Sequence, residues 1–188
     1  TSFSNRYSTG QTTAKMNADI ETILQIRKGN HKVVDLLRYS VTASELIETT
    51  FSKANPLTRA FLLLMAQYKP TDLVKNTKID IAFALSEYNR KQFHHIFPNA
   101  YLKKQKVAKK KIFSIVNFCF LPAESNKKIS KKSPSDYFFN LIPSTDFNTI
   151  LGSNLIPIKK DIYQRDDYNT FLEKRAETII NELDKITN

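Results

Sequence analysis

The sequence predicts a mainly α fold with a small β component, in which helices enclose one compact motif containing strands. Three observations carry this expectation. Apolar residues recur at helical spacing near both ends of the chain: Ile20, Ile23 and Leu24 at one, and Tyr168, Phe171, Leu172, Ile179 and Leu183, with Arg175 on the same stripe, at the other. Asn55-Pro56 opens a run, Leu57 to Met65, that is apolar on most sides, with Pro at the one helical position where its missing N–H costs nothing. Strand-like segments are short and central: the pair His94-His95 between apolar neighbours, and Asn117-Phe118-Cys119-Phe120-Leu121 stopped by Pro122.

In chain order, residues 1–16 are Ser/Thr-rich without periodicity and read as a loose lead-in. Asn17 is expected to cap a first helix that ends before Gly29. Val33, Val34, Leu36 and Leu37 suggest a second, and Ser44 caps a third through Leu46, Ile47 and Phe51. The helix after Asn55 is the expected central one, closed by Pro70. The apolar stripes of this region are expected to be core, and His31 a surface or capping residue. Ile79, Ile81, Phe83 and Leu85 alternate like a strand, and a helix fits them as well. Asn89-Arg90-Lys91 leads into the histidine pair, and 98–102 reads as a short helix or turn. The lysine run 103–111 reads as an exposed connection, 123–129 as a short helix carrying Asn126, and Pro134 as the start of another. Residues 143–160 look loop-rich, and a last helix starts near Asp166 or Asp167. The expected division is a lead-in (1–16), a helical subdomain (17–75), a core around the histidines (76–142), and a loop with the C-terminal helix (143–188).

Composition excludes several classes. Three glycines and no GxGxxG or GxxxxGK[ST] pattern give a nucleotide-binding fold no support. One cysteine, Cys119, makes neither an internal disulfide nor a cysteine zinc site, and it suits a reducing, cytoplasmic setting. No apolar run reaches the ~20 residues that span a bilayer. The first residues, Thr1-Ser2, suggest a fragment of a longer protein.

The formal net charge of +11 is concentrated. Between Arg90 and Lys132 stand twelve basic residues and one acid, Glu124, while the 17 basic and 17 acidic residues elsewhere cancel. All the excess positive charge therefore surrounds the two histidines, as a polyanion site requires. A solvated lysine-rich face is the bland alternative.

Phosphodiester hydrolysis needs an activated water and neutralisation of the leaving oxygen. A neutral imidazole is a base near pH 7. Neighbours on a strand point to opposite sides, so His94 and His95 divide the work: one faces a metal, the other the water. An Asn carbonyl oxygen serves as a hard ligand or fixes an imidazole. Separately, a His pair among aromatics is often structural, Asn126 reads as a helix cap and Asn117 as a strand end. Their combination inside the charged window is what points to a site.

His94-His95-Ile96-Phe97-Pro98, followed by Asn117 to Leu121 and Asn126-Lys127-Lys128, resembles the HNH (ββα-metal, His-Me finger) nuclease signature. More closely, it resembles the C-terminal HNH domain of GmrSD-type modification-dependent restriction and phage-defence proteins. Residues 132–138, 168–176 and 55–60 are also similar to that group, so the resemblance runs from about residue 50 to the end. It implies that residues 76–142 are the ββα-metal core of a DNA endonuclease or nickase, a hydrolase of a prokaryotic restriction and antiviral defence system. It implies His95 as general base, His94 and Asn126 as metal ligands, Asn117 as the residue orienting the His95 loop or ring, and Mg²⁺, or Mn²⁺, as the cation. Lys127 and Lys128 would hold the phosphate backbone, and Lys103, Lys104, Lys109, Lys110 and Lys111 belong to the same nucleic-acid-binding face. An N-terminal nucleotide-hydrolysing regulatory domain is an expected partner, absent from this chain. Asn117 follows His95 by 22 positions, further than in compact HNH motifs, so Asn99 stands as its alternative. A degenerate DNA-binding module and an RNA-cleaving nuclease are the other readings of the same residues.

Overall fold

Asn55 shows how local chemistry starts the central helix. Its backbone is extended, and its Oδ1 accepts the N–H groups of Leu57 and Thr58 at 2.8 and 3.4 Å. The helix buries Phe61, Leu62, Leu64 and Met65 and ends before Lys69, which takes positive φ ahead of Pro70.

The computed structural model describes residues 10–33, 41–86 and 93–187. Among these it is mainly helical with one small sheet. Four helices come first: α1 (Thr12–Arg27), α2 (Ala43–Glu48), α3 (Pro56–Gln67) and α4 (Ile81–Leu85). Strand β1 (Phe93–His95) follows, then α5 (Asn99–Lys104) and α6 (Lys109–Ile112). A 3-10 turn, Ile115–Asn117, leads into β2 (Phe118–Phe120), and α7 (Ala123–Ile129) comes directly after. The chain closes with α8 (Pro134–Asn140), α9 (Phe147–Ser153), α10 (Lys160–Gln164) and α11 (Tyr168–Thr187). β1 and β2 are antiparallel, with Phe93 opposite Phe120, His94 opposite Cys119 and His95 opposite Phe118. Buried side chains from Leu46 to Ile179 form one continuous cluster around this pair. No helix among the described residues is long and apolar enough to cross a membrane.

Several expectations change. The first helix starts at Thr12, not after Asn17, because Ala14, Lys15 and Met16 favour helix and extend it by more than a turn. Its apolar stripe is not core: Ile20 and Ile23 are 55% and 54% exposed. Thr42, not Ser44, caps α2 by accepting the Glu45 N–H, and Phe51 lies beyond that helix. The ambiguous 79–85 stretch is a short helix, because Asp80 Oδ1 accepts the Phe83 N–H and so competes with strand formation. The 103–111 run keeps exposed lysines but ends in a helical turn. Residues 143–160 include α9, whose Phe147, Ile150 and Leu151 bury one face despite Gly152. Asp167 does start the last helix, accepting the Thr170 N–H at 3.1 Å. The expected second helix at 34–37 and the Asn89-Arg90-Lys91 lead lie outside the described residues.

The C-terminal helix delivers one buried cation to the sheet. Arg175 is fully buried, and its guanidinium donates to the carbonyls of Val116, Phe118 (2.7 Å), Asn154 (3.1 Å) and Leu155 (3.1 Å). Nη2 also reaches Met65 Sδ at 3.4 Å, and the group lies over the Phe61 ring. Since the Asn117 carbonyl accepts from Ile96 across the ladder, the Phe118 carbonyl points the other way, off the edge of β2 away from β1, and the Val116 carbonyl of the preceding 3-10 turn meets the same Nη1. Arg175 thus occupies the place of a third strand. Burial lowers its pKa to about 10, so it stays charged at neutral pH. Arg175→Ala would orphan four carbonyls and leave a void. Urea unfolding should show a loss of about 3–5 kcal/mol, of which Arg175→Lys recovers only part because it lacks the planar fork.

Candidate functional site

The segment after β1 has every backbone polar group accounted for over two residues. The Ile96 N–H donates to the Asn117 carbonyl at 2.8 Å, and the Ile96 carbonyl accepts from the Tyr137 hydroxyl at 2.7 Å. The Phe97 N–H donates to Asn117 Oδ1 at 2.8 Å, and the Phe97 carbonyl accepts from Asn117 Nδ2 at 3.1 Å. Asn117 Nδ2 also donates to the Ile112 carbonyl at 3.1 Å, and the residue is fully buried. A buried amide making three side-chain bonds in this way fixes the loop more firmly than a lone turn would. Phe97 anchors the same loop from its side chain, packing on Tyr168 and Phe171.

His95 sits at the end of β1, immediately before this loop. Its ring lies 4.3 Å from the Phe118 ring and 5.1 Å, edge-on, from Phe113. The ring is half-buried, and its Nε2 is turned inward without a hydrogen-bond partner in the protein. Burial, then the neighbouring His94 and Lys103, lowers its pKa to about 4, so the imidazole is neutral at pH 7. With Nε2 turned inward, exchange of a proton with water runs through Nδ1. His94 is half-buried on the next ladder rung, opposite fully buried Cys119.

Asn126 lies on α7, one turn beyond the helix start and half-buried between Ser125 and the exposed Lys127 and Lys128. Asp72 pins that helix. Its Oδ2 accepts the Ser125 hydroxyl at 2.6 Å, and its Oδ1 accepts the Val74 and Lys75 N–H groups. Lys75 adds an ion pair to Glu124 at 2.5 Å. The chain order is therefore strand, strand, helix, with the histidines on the first strand, Asn117 entering the second and Asn126 on the helix. Asn99 is not the loop tether. It begins α5, and its Oδ1 is buried without a protein partner.

The lysines are not equivalent. Lys103 lies close enough to His95 to bear on its charge. Lys110 pairs with Glu48, Lys128 with Glu124 at 3.7 Å, and Lys111 donates to Asn169 at 3.3 Å. Lys103, Lys104, Lys109 and Lys127 pair with no carboxylate among the described residues. Tyr137 and Asp72 support the site without being candidates from sequence, although Tyr137 falls within 132–138, a stretch that carries part of the resemblance. Asp72 had no comparable signal.

A stability test follows from the imidazole. The folded-state pKa of His95 lies below its unfolded value near 6.5, so the unfolded chain binds the extra proton first. The stability that the neutral ring contributes is complete above about pH 6.5 and is lost as pH falls toward 4. In metal-free buffer the wild type should lose stability across that window, and His95→Gln should show a flatter profile. Parallel profiles in thermal melts would mean that another group sets the slope.

No family model matches the chain, and no solved structure matches it. Among curated proteins it is similar to the uncharacterized protein MJ0686 of Methanocaldococcus jannaschii, at 32% identity over 144 residues. That alignment covers 74% of this chain and 23% of the relative, so the chain spans about a quarter of the relative's length.

Proposed function

We propose that this chain is a metal-dependent DNA endonuclease or nickase domain of the HNH type, similar to the C-terminal domains of GmrSD-type restriction and phage-defence proteins. The observation that carries the reading is the tether of the His95 loop: Asn117 closes both polar groups of Phe97 while a neutral His95 stands at the strand end before it. Such a tether supports catalysis by fixing the base before substrate arrives, which lowers the entropy still to be lost in the transition state. His95 accepts a proton from the attacking water at Nδ1. Lys103 suppresses its protonation and adds attraction for phosphate.

His94 and the Asn126 carbonyl oxygen are the donors offered to a cation. Among the described residues no group of three His, Cys, Asp or Glu is placed to hold a metal ion, so a cation would rest on these two donors and on substrate oxygens. The Asn126 carbonyl oxygen is a hard donor of the kind Mg²⁺ and Mn²⁺ take, and either ion would complete its shell with waters and substrate phosphate oxygens. When bound, the cation supplies charge stabilisation for the leaving oxygen. The exposed lysines of α5, α6 and α7 give affinity through phosphates, without reading sequence. On this reading the domain works beside a nucleotide-hydrolysing regulatory domain in a cytoplasmic defence system.

Plasmid nicking should depend on added Mg²⁺ or Mn²⁺ and stop with EDTA. His95→Ala should reduce it by about 10²-fold or more while circular dichroism shows that the protein remains folded. Undiminished nicking by a folded His95→Ala protein would overturn the assignment, and cleavage of RNA in place of DNA would replace its substrate. A second test concerns α6. Changing Lys109, Lys110 and Lys111 to Gln should weaken DNA binding equally across sequences and flatten the salt dependence by about 2 in log–log slope. Lys110 contributes least because Glu48 already neutralises it. An unchanged slope would remove α6 from the contact face.

A further inference from the structure

Two adjacent clefts flank α5, and of the lysines already assigned to the nucleic-acid face only Lys104 lines either of them. One, of about 500 Å³, lies between α5 and the start of α11. Its walls are the rings of Tyr101 and Tyr168, the aliphatic Val107, and the polar groups of Gln105, Asp166 and Asn169. The second, of about 400 Å³, shares Tyr101 and Gln105 and adds Lys104, Lys131 and Ser133. Both volumes fall within the range of small-ligand sites.

The two clefts differ in charge. The larger one is lined by two carboxylates committed to the fold, since Asp166 accepts the Ser135 N–H (2.7 Å) and hydroxyl (2.8 Å) and Asp167 caps α11, and by Arg165, which is paired with Asp161 at 3.0 Å. An aromatic ring with N–H groups on its edge finds two tyrosines and several acceptors there. The smaller cleft has two lysines from different elements and no lining carboxylate. Lys104 and Lys131 pair with no acid among the described residues. Tyr101 is the shared wall. Its hydroxyl lies near Asp166 and Gln105, and its pKa is raised by burial and then by the Asp166 charge. Tyr168 is fixed by donating to the Lys111 carbonyl at 2.7 Å.

The geometry points to a single-nucleotide subsite: a nucleobase lies against Tyr101 in the larger cleft while its phosphate is held by Lys104 and Lys131 in the smaller. This deepens the nuclease reading and rests on it, because Lys103, beside His95, precedes Lys104 on the same helix. A base in such a cleft is out of its stack, so the site takes an unpaired nucleotide, either within a strand or as a free nucleoside monophosphate.

The test is binding in EDTA, which separates it from cleavage. Fluorescence anisotropy compares a labelled single strand of roughly 12 nucleotides with the same sequence as duplex, for wild type, Tyr101→Ala, Tyr101→Phe and the double variant Lys104→Gln/Lys131→Gln. Wild type should prefer the single strand. Tyr101→Ala should weaken it about tenfold, as loss of one stacked base does, and Tyr101→Phe should stay near wild type. The lysine variant should flatten the salt slope by about 1. Competition by adenosine or cytidine monophosphate would assign the site to free nucleotides, and competition only by oligonucleotide would assign it to a strand. Wild-type binding by Tyr101→Ala overturns the subsite even if the lysines matter, since phosphate contact alone needs no base. A chain that shows this pattern yet cuts nothing in any metal would keep the subsite and discard the nuclease.

Discussion

The small sheet depends on Arg175. Two three-residue strands do not make an independently stable sheet in water. Here the second strand is held on both sides: β1 pairs one edge, and the guanidinium satisfies the Val116 and Phe118 carbonyls on the other. The same group reaches the 154–155 turn and Met65 of α3. One side chain near the C-terminus thus ties together the central helix, the strand carrying the rungs opposite the histidines, and the turn after α9. A buried cation is costly unless fully hydrogen-bonded, and four carbonyls meet that condition without a carboxylate partner.

From this anchor the site follows outward. Arg175 fixes β2, and β2 fixes β1. Asn117, at the β2 entry, fixes the loop beyond His95, which Tyr137 secures from α8. Two aromatic rings, Phe113 and Phe118, pack against the imidazole, and burial keeps it neutral. The scaffold that holds the loop and the environment that sets the charge of the base are built from the same residues, so altering either shifts both.

The sequence was most legible where one residue type decides local structure. Asn55-Pro56, Pro122, Pro134 and Asp167 mark helix starts or strand ends that the fold respects, and the strand–strand–helix order could be read from the 93–97, 117–121 and 123–129 segments. It was least legible where tertiary packing decides. Arg175 was legible as a member of the apolar stripe of the last helix, but its four carbonyl partners were not, because they come from segments distant in sequence. The α1 stripe reads as core yet is exposed, because periodicity reports a face and not what covers it. α9 was hidden by Pro143 and Gly152, which punctuate a pattern that Phe147, Ile150 and Leu151 nevertheless complete. At the site, Asn117 could be picked out as a loop-orienting residue, but its three side-chain bonds could not. Both Asp72 and the Tyr101 clefts needed the fold to bring distant segments together.

The guanidinium on β2 has one more consequence. A bare strand edge is a template on which another polypeptide can add itself, and short sheets at the centre of small domains are exposed to this whenever a covering helix frays. Here the outward carbonyls of Val116 and Phe118 already have a donor from within the chain. Self-association by strand addition at that edge must first displace a cation that has nowhere wetter to go without pulling α11 off the core, so the domain carries its own guard against fibrillar recruitment.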